Sequence, residues 1–151
     1  MFGRVHALRI SGEGAFAMNA TVPAITALYA ALLGLLGAAL TINVIVNRVR
    51  AKVDIADGGV AALAQAIRAH ANFAEQTPIA LILIGLAETL GTRAVIVHVF
   101  GVVLVLARLA SAVGLNRTLK QSPPRQLGAS GTILVLIAAS LALLLALVGI
   151  R

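Results

Sequence analysis

The chain has no cysteine and no tryptophan, and only five acidic residues among 151. Without cysteine there is no disulfide, no thiolate metal site and no cysteine nucleophile, so any reactive thiol must arrive with a substrate. Three histidines, scattered along the chain, make a transition-metal site improbable. Aromatic residues make up 3% of the chain, so the tryptophan and tyrosine belt that marks the edges of many membrane spans is missing. Those edges must be found from charges and turn residues instead. Charged residues amount to 11%, against about 25% in soluble domains, while 60% of the chain is hydrophobic. That leaves too little polar surface to cover a water-soluble core, and the class is integral membrane. The net charge is +7. Its basic residues cluster between apolar segments rather than forming a run interleaved with aromatics. Charges placed that way set topology and attract anionic lipid heads, and no nucleic-acid partner is expected.

Four apolar segments are present, each long enough for the roughly 20 residues a spanning helix needs. Backbone groups in lipid must be satisfied within the segment, so each is read as a helix, at about 20–47, 60–90, 93–115 and 126–150. Asp54, Asp57, Gly58 and Gly59 mark the first turn, LGTR at 90–93 the second, and NRTLKQSPPRQ at 116–126 a polar third connection. Pro123 and Pro124 are placed there to stop one helix and start another. The expected fold is all-α: an antiparallel integral membrane four-helix bundle forming one domain over 18–151, preceded by a tail over 1–17. Gly34, Gly37, Gly101, Gly128 and Gly131 are expected to let helices approach closely. The tail lacks the apolar stretch of a signal peptide, and Met18 is an alternative start.

Loop charges suggest an orientation. The first connection carries Arg48, Arg50 and Lys52, and the third Arg117, Lys120 and Arg125; the opposite side has Arg4, Arg9, Arg93 and Arg151. Six against four puts connections one and three in the cytoplasm and both termini outside it. The expected location is a bacterial inner membrane, crossed several times.

The informative stretch is IRAHANFAEQTP, residues 67–78, on the second helix. With Arg68 at zero, Asn72 falls at about 40° and Glu75 at about −20° around the helix, so the three share a face. His70 falls on the opposite side, and Pro78 is expected to kink the helix as it goes deeper. Glu75 lies about 10 Å deeper than Arg68. A ligand along this face meets a cation, then an amide, then an anion, which suits a small zwitterion with an extra carboxylate. A structural reading stands beside this one: the same residues serve as interhelical glue, with Glu75 paired to Arg108. His98, mid-helix three, is read as a hydrogen-bonding residue of the bundle, and Glu88 with Arg93 as an exposed pair.

The pattern R-x-x-x-N-x-x-E-x-x-P, filled by Arg68, Asn72, Glu75 and Pro78, resembles the second-helix signature of the MAPEG family, the membrane-associated proteins of eicosanoid and glutathione metabolism. NRVRAKV at 47–53 is similar to the basic end of that family's first helix. ARLASAVGLNR at 107–117 is similar to its third-helix segment, with Arg108 as the fixed arginine. The resemblance covers about residues 20–150 and implies a homotrimer that holds glutathione between neighbouring subunits near the cytoplasmic face. It implies Arg48, Arg68, Asn72 and Glu75 as glutathione contacts, and Arg108 as a buried arginine near them. Many members carry an aromatic residue after the helix-two glutamate, where this chain has Gln76. Many also carry tyrosine or histidine where it has Ser111 and Leu115. The one tyrosine, Tyr29, is in helix one, so activation of the thiol by a tyrosine hydroxyl is not expected.

A free thiol titrates at about 8.5, and the thiolate is the nucleophile, so catalysis needs a group that favours the anion. The resemblance implies an arginine at the end of helix three or the start of helix four. Arg125 is the first candidate, with Arg117 and Lys120 behind it. Ser111 is a candidate hydroxyl donor as well as a small packing residue. The expected function is transfer of glutathione, as co-substrate, to hydrophobic electrophiles, with lipid hydroperoxide as a further substrate. The alternatives are a non-catalytic glutathione- or lipid-binding protein on the same scaffold and a small transporter or channel subunit.

Overall fold

The structure is a computed structural model that describes residues 22–149. The tail 1–17, Met18 and the topology residues Arg4, Arg9 and Arg151 lie outside the described residues. Four helices follow one another: α1 Ala24–Ala51, α2 Ala61–Thr89, α3 Ala94–Arg117 and α4 Pro123–Leu147. No strand occurs among the described residues. Helices α1, α3 and α4 are long and apolar enough to cross a membrane. Helix α2 is as long, with 29 residues, but carries Arg68, Glu75 and Glu88 within it. The chain is an integral membrane protein with an all-helical bundle.

The helix ends differ from the expected borders in ways the local chemistry accounts for. Helix α1 runs on to Ala51 and keeps Arg48 and Arg50 in its last turn, where cations meet the negative end of the helix dipole. Lys52 then turns left-handed at φ 53°, and the amide of Val53 reaches back to the Arg48 carbonyl at 3.2 Å. Helix α4 begins at Pro123, because the first-turn amides a proline lacks have no helical acceptor in any case. The expected 116–126 connection therefore shrinks to 118–122. The α2–α3 turn closes through Gly91 at φ 87°, a conformation that suits glycine.

Helices α2 and α3 form the centre: each packs against all three others, while α1 and α4 do not meet. The main core joins Leu33, Ile84, Val97, Leu104 and Val135, and a smaller cluster of Leu40, Ala69, Ala112 and Leu115 seals the end nearer the first and third connections. Apolar side chains also cover the outside, with Leu35, Val95 and Leu134 each well exposed. In a bilayer such faces meet acyl chains or other subunits. Small residues set the spacing inside. A side chain at Gly101 would strike the Tyr29 ring, one at Gly37 would come within 2.9 Å of Phe73, and one at Gly131 within 3.1 Å of Ala107. At Gly34 an added Cβ would meet nothing of this chain within 4 Å, so no helix approach within the chain depends on that glycine. Gly114, not singled out from sequence, lies tight against the Arg125 backbone, 2.8 Å from its nitrogen for an added Cβ.

Candidate functional site

The first two turns of α2 are rich in alanine, which buries Ala66 and Ala69 against the bundle and leaves the other side of the helix polar. On that side Arg68 and Glu75 form an ion pair at 3.5 Å, with their side chains 50% and 56% exposed. Two turns apart on one face, they meet across the surface rather than through the core. Glu75 is therefore the partner of Arg68, and the alternative pairing with Arg108 does not form. The helix continues through Pro78 without interruption, and that proline lies on the exposed side.

Asn72, between them in sequence, turns inward. Its Oδ1 accepts from Arg108 Nη1 at 3.2 Å and its carbonyl from the same nitrogen at 3.4 Å. Arg108 is 1% exposed and faces no carboxylate. Its other terminal nitrogen donates to the Gly128 carbonyl at 3.1 Å, to Ser111 Oγ at 3.4 Å and to the Thr132 hydroxyl. Neutral oxygens from α2, α3 and α4 thus surround the guanidinium, while its Nε has no partner. This arginine ties three helices together. Ser111, buried and pressed against Gly128, belongs to the same network and not to an open cleft.

Arg48 leaves the end of α1 and donates to the carbonyls of Val53 and Ala56, at 3.2 and 3.1 Å. It pins the 52–60 connection beside Arg68. Ala56, Asp57, Ala64, Ile67, Arg68 and Ala71 line a groove there of about 350 Å³. Small-molecule sites range over about 300–1,000 Å³, and the groove falls at the lower end of that range. Arg125 lies in the first turn of α4 and donates to the Leu119 carbonyl at 2.8 Å, bracing the third connection. Arg117 closes α3 and is exposed, as is Lys120. The candidate residues therefore divide. Arg68 and Glu75 are presented outward with Arg48 behind the adjoining connection, Asn72, Ser111 and Arg108 form an internal network, and Arg117 and Arg125 border a different connection.

Several polar contacts were not anticipated. Glu88 does not pair with Arg93 but caps α1, accepting from the amides of Ile25 and Thr26 at 2.9 and 2.8 Å and from the Thr26 hydroxyl at 2.6 Å. His98 shares a 2.9 Å hydrogen bond with the Tyr29 hydroxyl, in keeping with a bundle role. Asn43, Asn47 and Asn116 form a chain of amides between α1 and α3. The i, i+4 spacing of Asn43 and Asn47 in an apolar helix was the available signal for it. Among the described residues no group of histidine, aspartate or glutamate is arranged to hold a metal ion.

Comparison with known proteins agrees with the residues that carry the resemblance. The model of the MAPEG family matches residues 26–145. The chain is similar to the inner membrane protein YecN of Escherichia coli strain K12, with 37% identity over 95 residues, covering 63% of this chain and 72% of the relative. The YecN of a second Escherichia coli strain, of serotype O6:H1, matches with the same identity and coverage. A match that takes in Arg48, Arg68, Asn72, Glu75, Arg108 and Arg125 within one four-helix frame settles the relationship: the chain belongs to the MAPEG family.

Proposed function

We propose that this protein binds glutathione at the exposed face of α2 and transfers it to hydrophobic electrophiles that arrive through the bilayer, with lipid hydroperoxide as a further substrate. The observation that carries this reading is the outward, half-exposed pair of Arg68 and Glu75 beside an open groove. An exposed pair exchanges partners at little cost, so Arg68 is free to take a glutathione carboxylate in its two-pronged grip while Glu75 takes the ammonium. Arg48 supports the site by holding the connection that forms the groove wall. Asn72, fixed by Arg108, keeps this stretch of α2 in register with α3.

Glutathione supplies the thiol: its proton passes to solvent, the thiolate sulfur forms the new bond to carbon, and the displaced group leaves with the bonding electron pair. Arg125, with Arg117 as the other candidate, favours the anion by charge when a neighbouring subunit brings it to the groove. That arrangement requires a homotrimer, and the apolar outer faces of the helices supply surface for it. The inner membrane named for the YecN relative is the proposed location, with the basic first and third connections in the cytoplasm and both termini on the other side.

The test is glutathione protection of the purified protein against thermal unfolding, with ultraviolet absorbance reporting thiolate. Arg68→Ala and Glu75→Gln should each weaken protection, and unchanged protection in both removes the site. A non-catalytic binding role is the second reading, favoured by the burial of the Ser111 hydroxyl in the Arg108 network and by leucine, which has no hydroxyl, at position 115. Protection by glutathione with neither thiolate absorbance nor proton release would establish it over the transferase.

A further inference from the structure

A second groove lies on the other flank of α2. Gln65 and Ala62 sit at about 60° and 120° around the helix from Arg68, and the groove they border is separate from the one described above. Its volume is about 540 Å³, and α1, α2 and α3 all contribute to it. One wall is a directed series of amides. Asn116 donates to the Ala112 carbonyl at 2.9 Å, Asn43 donates to Asn116 Oδ1 at 2.9 Å, and Asn47 donates to the side-chain and main-chain oxygens of Asn43 at 3.0 and 2.8 Å. The series leaves the Asn47 carboxamide oxygen at its open end. The side chains of Arg50 and Gln65, at the mouth, have no hydrogen-bond or ion-pair partner among the described residues.

The lining changes character with depth. Arg50 is in the last turn of α1, at the end of the span. Asn47 and Asn43 follow about 5 and 10 Å further in, and Ala39 and Leu40 lie about 15 Å in, at the apolar floor. A membrane phospholipid has the same order: an anionic phosphate at the interface, glycerol and ester oxygens below it, then methylene groups. A free guanidinium is the preferred partner of a phosphate, and the second amide hydrogens of Asn43 and Asn116, each of which makes one bond within the series, suit ester oxygens. The surrounding end of the molecule is basic, with Lys52 and Arg117 close in sequence to Arg50 and Asn116, so the potential favours an anionic lipid over a zwitterionic one.

We propose that this groove is a binding site for an anionic phospholipid, with the phosphate on Arg50 and Gln65, the glycerol esters against the Asn43–Asn47–Asn116 series, and one acyl chain entering over Leu40. A lipid held there would occupy the interval between α1 and α2 and set their spacing without touching Arg68 or Glu75.

The purified full-length protein in a neutral detergent tests this, by titration with phosphatidylglycerol or phosphatidylcholine in mixed micelles while thermal unfolding and lipid retention by native mass spectrometry are followed. Phosphatidylglycerol should protect at lower concentration than phosphatidylcholine. Arg50→Gln should weaken the phosphatidylglycerol effect by more than about tenfold, the loss of a hydrogen bond to a charged group, while Lys52→Gln, an equal change in charge outside the groove, should change it by no more than about fivefold, the contribution of one basic group at a membrane surface. Equal losses in the two variants would mean diffuse attraction and overturn the site. Equal protection by soluble glycerol phosphate would overturn the lipid as the source of the phosphate. Displacement of bound lipid by glutathione would overturn the assignment and place the tripeptide in this groove instead.

Discussion

Arg108 of α3 donates from one nitrogen to both oxygens of Asn72 on α2, the side-chain oxygen at 3.2 Å and the carbonyl at 3.4 Å. The contact joins a buried cation to the residue between the two exposed charges of the candidate site. A guanidinium 1% exposed, with only neutral oxygens around it, is tolerated because its terminal nitrogens have acceptors on three helices. Truncation to alanine would take the donor from the Asn72 side-chain oxygen and leave a cavity, while the Gly128 carbonyl keeps the Thr132 hydroxyl. Arg108→Ala is expected to destabilise the folded protein by about 3 kcal/mol, read as a lowered midpoint of thermal unfolding in detergent. Arg108→Lys keeps the charge but not the planar fork, and should recover less than half of the loss. Full recovery with lysine would mean that charge, not geometry, is what this position requires.

Arg68 and Glu75 should behave in the opposite way. Their pair is half exposed and spans 3.5 Å. Removing either partner is expected to change unfolding stability by less than about 1 kcal/mol, because an exposed ion pair contributes little. The same substitutions should reduce glutathione protection several-fold. Stability and ligand protection thus separate at Arg68, whereas at Arg108 they fall together. A double variant, Arg68→Glu with Glu75→Arg, should restore stability but not ligand protection.

The class, the number of helices and their order were legible because α1, α3 and α4 are apolar over windows that only a bilayer accommodates. Helix α2 was legible through its polar stripe. What one helix cannot report is which neighbour its residues face. Asn72 lies only about 40° from Arg68 by helical geometry, yet that rotation carries its side chain off the exposed face and into reach of α3. Glu88 is five residues from Arg93 along the chain, and proximity in sequence suggested a pair. Its carboxylate instead meets amides 62 and 63 residues away, because α1 starts where α2 ends. The Arg108 network was hidden for a similar reason: two of its acceptors, Gly128 and Thr132, belong to the helix that looks most uniformly apolar.

Glycines offer a test of helix spacing that is independent of any ligand. An added Cβ at Gly128 would fall 2.6 Å from both the Ala107 carbonyl oxygen and the Ser111 nitrogen, backbone atoms that cannot rotate aside. Gly128→Ala is expected to cost about 1–3 kcal/mol by forcing α3 and α4 apart, and to disturb the Arg108 hydrogen bond to the same residue. Gly34 has nothing within 4 Å, so Gly34→Ala should be neutral or stabilising by up to about 1 kcal/mol through helix propensity. Thermal unfolding of the two variants side by side checks the contrast, and equal destabilisation would contradict the α3–α4 packing.

Glu88 gives a prediction that concerns α1 alone. That helix follows Pro23, has no capping side chain of its own and no acidic residue in its first turn. Its first amides would therefore lack acceptors if Glu88 did not reach across from the end of α2 to those of Ile25 and Thr26. A carboxylate also complements the positive end of the helix dipole. Glu88→Ala is expected to cost about 1–2 kcal/mol, the range of a lost N-cap, and to speed hydrogen exchange at the Ile25 and Thr26 amides while leaving those of α3 unchanged. Glu88→Gln keeps an acceptor oxygen but replaces the second with a donor, so one of the two amides should remain protected. Uniform acceleration across α1 in both variants would show that the helix depends on Glu88 for packing rather than for capping, and uniform protection would show that water serves those amides as well as the carboxylate does.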